Sequence, residues 1–183
     1  AIGRCAAPLS EQVLVSLLAS GGEWTDPALL GLGDLGTRKK QLGAETMTAL
    51  LEAAGNRTAP RDLAFYALSR TEPGEAFARR VVDQAKVALG RPGQLRIFAI
   101  RALGRAGRSN PKDVAPDLER IVVDAKGYDY GERAEAARAL GLLGDAGQAA
   151  IAGALNALTP DAKDPIGIAD LANASFNVLY TLL

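Results

Sequence analysis

Three residue patterns in this chain of 183 residues could carry chemistry. Gly31, Gly33 and Gly36 fit G-x-G-x-x-G, the loop that cradles a dinucleotide phosphate when a strand precedes it and a helix opens after it. Neither context surrounds them here, so nucleotide binding is not expected. Asp161 with Asp164 and Asp129 with Glu132 have the spacing for acid-base work or for holding a hard cation. Short acids at such positions also cap helices by accepting backbone N–H groups, and that is the expected role. The triplets 56–58 and 173–175 fit the glycosylation sequon, but the second falls in a predicted helix and both are set aside.

What is missing narrows the chemistry further. The chain has no His and a single Cys, Cys5, which removes ordinary His/Cys zinc sites, Ser-His and Cys-His nucleophile pairs, and any internal disulfide. Its 21 Lys+Arg balance 21 Asp+Glu at a pI near 6.6, so nothing pulls the whole molecule toward phosphate or anionic lipid. No catalytic residue, metal or cofactor is expected, and nucleic acid is not an expected partner. No run of 18 apolar residues predicts a membrane span. A cytoplasmic location fits, while the start at Ala1 leaves a processed extracytoplasmic protein open.

The elements that must position any site are helices. The 35 Ala and 26 Leu make up one third of the chain, and 20 Gly and 9 Pro recur between apolar stretches as punctuation. The length suits one domain with its own core. Self-similarity is evident: residues 95–107 (LRIFAIRALGRAG) return as 133–144 (RAEAARALGLLG), with A-x-x-A-L-G-x-x-G in common. Weaker copies lie at 27–36, 61–69 and 174–183. With Leu32, Leu68, Leu103, Leu140 and Leu179 as equivalents, the spacings are 36, 35, 37 and 39.

Between copies run amphipathic partners. They are 9–20 (Val13, Leu14, Leu17, Leu18), 42–54 (Met47, Leu50, Leu51), 75–89 (Phe77, Val81, Val82, Ala85), 114–125 (Leu118, Ile121, Val122, Ala125) and 148–158 (Ile151, Ala154, Leu155, Leu158). Pro116 is expected in the first turn of the fourth. The result is five helix hairpins, at about 8–38, 41–71, 74–108, 110–145 and 147–183, within a single domain 1–183. In the repeated signature alanine permits close helix approach, leucine fills the gap, and glycine is expected to end the helix in a left-handed cap.

This pattern resembles HEAT repeats, and 136–158 in particular looks like the bacterial HEAT-like repeat of phycobilisome-lyase-type proteins. Only the third and fourth copies match strongly. Ser69 replaces the helix-end glycine in the second, and Asn177 and Thr181 enter the last. The resemblance implies an all-α fold, a right-handed α-solenoid whose second helices line a concave face that holds another protein. Enzymes of this kind include chromophore lyases, a metal-dependent hydroxylase and DNA glycosylases of a related repeat. The hydroxylase needs His ligands that are absent, no lyase residue can be placed, and the glycosylases' basic balance is missing.

On that alignment the concave positions are those two before and two after the core leucine. They hold Tyr66 and Arg70, Arg101 and Arg105, then Arg138 and Leu142, flanked by Asp34 and Asp62. With stacked helices about 10 Å apart, Arg70, Arg101, Arg105 and Arg138 would form one basic ridge suited to an acidic peptide or protein segment. Turn aromatics offer a second surface: Trp24 in 21–26, and Tyr128 with Tyr130 in 126–131. Trp24 is expected to fold back over the core edge. The expected function is a non-catalytic scaffold for a partner protein. The alternatives are a HEAT-like enzyme or a piece of a longer solenoid, since 178–183 ends apolar and could equally make a homo-oligomer contact.

Overall fold

Leu and Ala spaced at three and four residues favour helix locally and give each helix one face that must be covered. The computed structural model describes residues 10–56 and 61–157. Among these it contains α1 (Ser10–Ser20), α2 (Thr25–Lys39), α3 (Ala44–Gly55), α4 (Arg61–Leu68), α5 (Glu75–Ala88), α6 (Gln94–Ala106), α7 (Pro111–Val123), α8 (Tyr130–Leu140) and α9 (Gly144–Ala157), with 3-10 turns at Gly22–Trp24 and Gly107–Ser109 and no strand. The fold class is all-α, and none of these helices is long and apolar enough to cross a membrane. Cys5, Asp161, Asp164, Leu158, Leu179, most of the two sequon triplets and the last predicted helix lie outside the described residues.

The chain divides into two compact units, Ala1–Ala102 and Leu103–Leu183, with the border inside α6. In the first, α1 packs on α2 and α3, α2 on α4, and α3 on α4 and α5. In the second, α7 packs on α8 and α9, and α8 on α9. Within their units α1, α2, α3, α4, α7 and α9 thus each touch both a chain neighbour and a helix two along.

The repeat leucines are core residues. Leu32, Leu103 and Leu140 are fully buried and Leu68 almost so, each burial stabilising by about 2 kcal/mol before entropy is counted. Met47, Leu50 and Leu51 bury the α3 stripe, and Leu118, Ile121 and Val122 that of α7. Other stripe positions depart. Val13 and Leu155 are exposed, Phe77 is only half-buried, and Ala125 lies past the end of α7. Leu14 is the buried anchor of α1, set against Gly31.

Helix starts differ from expectation because capping overrides apolar spacing. α7 begins at Pro111, a favoured first position, so Pro116 is its sixth residue and lies on the exposed face. α8 begins at Tyr130 because Asp129 and Glu132 form a capping box. The Asp129 carboxylate accepts the Glu132 N–H at 2.9 Å, and Glu132 accepts the Asp129 N–H at 3.0 Å. That settles this acid pair as a helix cap.

The signature glycines are not left-handed caps, with one exception. Gly144 has φ +58 and opens α9, whereas Gly104, Gly107 and Gly141 keep right-handed geometry. Gly104 lies inside α6, where a Cβ would stand 2.7 Å from the Ala139 Cβ and 2.9 Å from its Cα. Its function is close approach of α6 and α8, which no larger residue permits.

Candidate functional site

The G-x-G-x-x-G run lies entirely within α2, and each of its glycines faces a neighbouring element. A Cβ at Gly31 would meet Leu14 at 2.7 Å. One at Gly36 would meet Thr71 and the Arg70 carbonyl at 3.2 and 3.3 Å, and one at Gly33 would overlap the Tyr66 ring. The motif is therefore a row of notches that seats α1 and the end of α4 on α2.

Seating Tyr66 there assembles a strip of side chains. The Tyr66 hydroxyl donates to Asp34 Oδ1 at 3.2 Å. Arg70, one helical turn later, places its guanidinium 4.5 Å from the Tyr66 ring centroid and donates to Thr37 Oγ1 at 3.1 Å. Phe98 of α6 meets Tyr66 edge-on at 5.5 Å between centroids, and the Arg101 guanidinium lies 5.8 Å from the Phe98 centroid. Two arginines thus flank two aromatic rings. Burial raises the Tyr66 phenol above its ordinary value. The Asp34 charge and hydrogen bond work the same way against the opposing charge of Arg70, so the hydroxyl stays a donor through neutral pH.

Guanidinium groups held by ring stacking keep a planar set of N–H donors in place, which suits carboxylates and suits phosphates equally in geometry. Arginine stacked this way has already lost much of the freedom that binding would otherwise cost.

Of the expected site residues, Tyr66, Arg70 and Arg101 come together in the first unit, with Asp34 bonded to Tyr66 and Asp62 exposed in the first turn of α4. Arg105 and Arg138 belong to the second unit. Arg105 is half-buried in the last turn of α6, and Arg138 pairs with Glu135 of its own helix at 2.7 Å. Phe98 and Thr37 were not expected. The signal for Phe98 was its position three residues before Arg101, the same-face spacing that Tyr66 and Arg70 show at four.

Trp24 does not fold over the core. It is 49% exposed in the turn between α1 and α2. Tyr130 is 52% exposed but stands on the first turn of α8, and Tyr128 is half-buried in the preceding turn.

A second polar centre escaped the sequence reading. Glu11 of α1 accepts from Lys39 Nζ of α2 at 2.8 Å, from Thr46 Oγ1 of α3 at 2.6 Å and from the Gly43 N–H. Gly43, the N-cap of α3, has no side chain to bond the helix's first N–H groups, and Glu11 supplies a carboxylate there from another helix. Burial works to raise the Glu11 carboxyl, but these hydrogen bonds and the Lys39 charge outweigh it and hold it below the usual carboxylate value. No known protein family, curated protein or solved structure gives a significant match to this chain.

Proposed function

We propose that the chain is a HEAT-like right-handed α-solenoid that acts as a non-catalytic scaffold and holds an acidic segment of a partner protein. The single observation carrying this is the strip Arg70–Tyr66–Phe98–Arg101, two guanidiniums fixed on two rings. The solenoid reading draws support from the burial of the equivalent leucines at 32, 68, 103 and 140. It also draws on contacts between helices two apart, α1 with α3, α2 with α4, α3 with α5 and α7 with α9. In the repeat alignment Arg105 shares the third copy with Arg101, and Arg138 is the equivalent of Arg101 in the fourth.

Affinity for an acidic segment would come from bidentate guanidinium–carboxylate pairs and fall with salt. The test compares wild type with an Arg70→Glu plus Arg101→Glu double variant, both checked for helicity, in cross-linking capture from the native host followed by mass spectrometry. Selective loss of one partner, cross-linked through an acidic segment to α4 or α6, supports the reading. Unchanged capture, or cross-links that avoid both helices, overturns it.

A further inference from the structure

The C-terminal ends of α1 and α3 open onto a groove of about 560 Å³, within the size range of small-molecule sites. Val15, Leu18, Ala49 and Ala53 give it apolar walls, and among the described residues Asp26 and Glu52 are the ionisable side chains that line it. A helix C-terminus carries partial negative charge on its last carbonyls. Neither α1 nor α3 has a basic residue in its last turn to offset that charge. Glu52 instead adds a carboxylate to the last turn of α3, where the helix dipole disfavours it. Asp26, in the first turn of α2, faces the same groove. At the rim, Gly21 and Gly22 have φ +69 and +61 with open space where a Cβ would stand, a backbone that side chains rarely adopt.

We propose that this groove binds a small organic cation, an ammonium on an apolar body, with Glu52 and Asp26 holding the charge and the walls of α1 and α3 covering the body. Both carboxylates are exposed; a neutral alcohol of the same shape donates one hydrogen bond and carries no charge, and an anion is repelled, whereas an ammonium brings a positive charge and three donors. Two helix ends and two carboxylates of one sign select the cation. The site shares no residue with the arginine strip, so the two readings stand or fall separately.

The probes are phenethylamine and its neutral counterpart 2-phenylethanol, titrated by calorimetry and by fluorescence of Trp24. This is the chain's one tryptophan, and it sits between the groove residues Gly22 and Thr25. The amine is expected to saturate and the alcohol not to. Glu52→Gln and Asp26→Asn, confirmed helical by circular dichroism, are each expected to weaken the amine about three- to fivefold, the size of a partly exposed charge pair. Equal binding of both probes, unchanged affinity in the double variant, or no saturation by the amine overturns the proposal. So does saturation by a lysine-bearing peptide alone, which would assign the groove to a protein partner.

Discussion

Gly33 of α2 lies against the Tyr66 ring of α4 so closely that a Cβ at position 33 would overlap the ring. The ring has little room to withdraw, since Asp34, Arg70 and Phe98 hold it from other sides. Gly33→Ala gains about 1 kcal/mol of helix propensity but is expected to lose more by overpacking, for a net cost of about 1–2 kcal/mol. Urea denaturation measures the loss, and near-ultraviolet circular dichroism reports the displaced ring. Gly104→Ala should cost more, because the Ala139 Cβ and Cα stand in its way and, having no rotatable side chain, cannot turn aside. A variant at either position as stable as wild type would remove the close-approach account of these glycines.

Glu11 makes stability depend on pH in the acid range. Its folded carboxyl lies below the ordinary value, so its contribution is complete above the unfolded pKa and is lost as pH falls through the folded one. Glu11→Gln is expected to cost about 1–2 kcal/mol at neutral pH, as for a lost cap with a charged partner, and to flatten the acid slope. Denaturation midpoints at a series of pH values below neutrality check both. A parallel slope in the variant would place the acid sensitivity elsewhere.

The raised Tyr66 phenol works in the opposite direction. Its folded state holds the proton more tightly, so its contribution persists below the ordinary tyrosine pKa and fades as pH rises through the folded value. Spectrophotometric titration of wild type should show one tyrosine ionising late, and Tyr66→Phe should remove that step. The variant keeps the ring under Arg70 and loses only the bond to Asp34, for an expected cost of about 1 kcal/mol. Should the late step survive, another of the four tyrosines is responsible.

Asp129→Ala removes the half of the α8 capping box in which the carboxylate accepts the Glu132 N–H, leaves the backbone N–H of position 129 on Glu132, and is expected to cost about 1 kcal/mol. Thermal unfolding measures it. Asp129→Ser, which keeps an acceptor oxygen, should restore most of the loss. If serine does no better than alanine, the carboxylate acts by something other than capping.

What could be read directly from this chain was whatever depends on near neighbours. Leu32, Leu68, Leu103 and Leu140 could be marked as buried because each sits in its own local apolar pattern, and a helix face repeats every three to four residues whatever it packs against. The Asp129–Glu132 box was legible for the same reason, being closed within four residues. Pro116 was misplaced by the same local logic, because the true start at Pro111 carries no apolar residue to announce it.

The tertiary structure decided everything that required two helices to meet. Glu11 reaches partners 28, 32 and 35 residues away, on other helices of the chain, and helical spacing does not say which side chains of separate helices will meet. Gly31, Gly33 and Gly36 wrote the letters of a phosphate loop, yet a glycine's meaning lies in what approaches it. Here helix side chains and backbone approach, so the motif packs. Phe98 joined Tyr66 for the same reason. Local spacing dictates which face of a helix is apolar, but the rotation and depth at which a second helix settles on that face depend on close-packed volumes contributed by both.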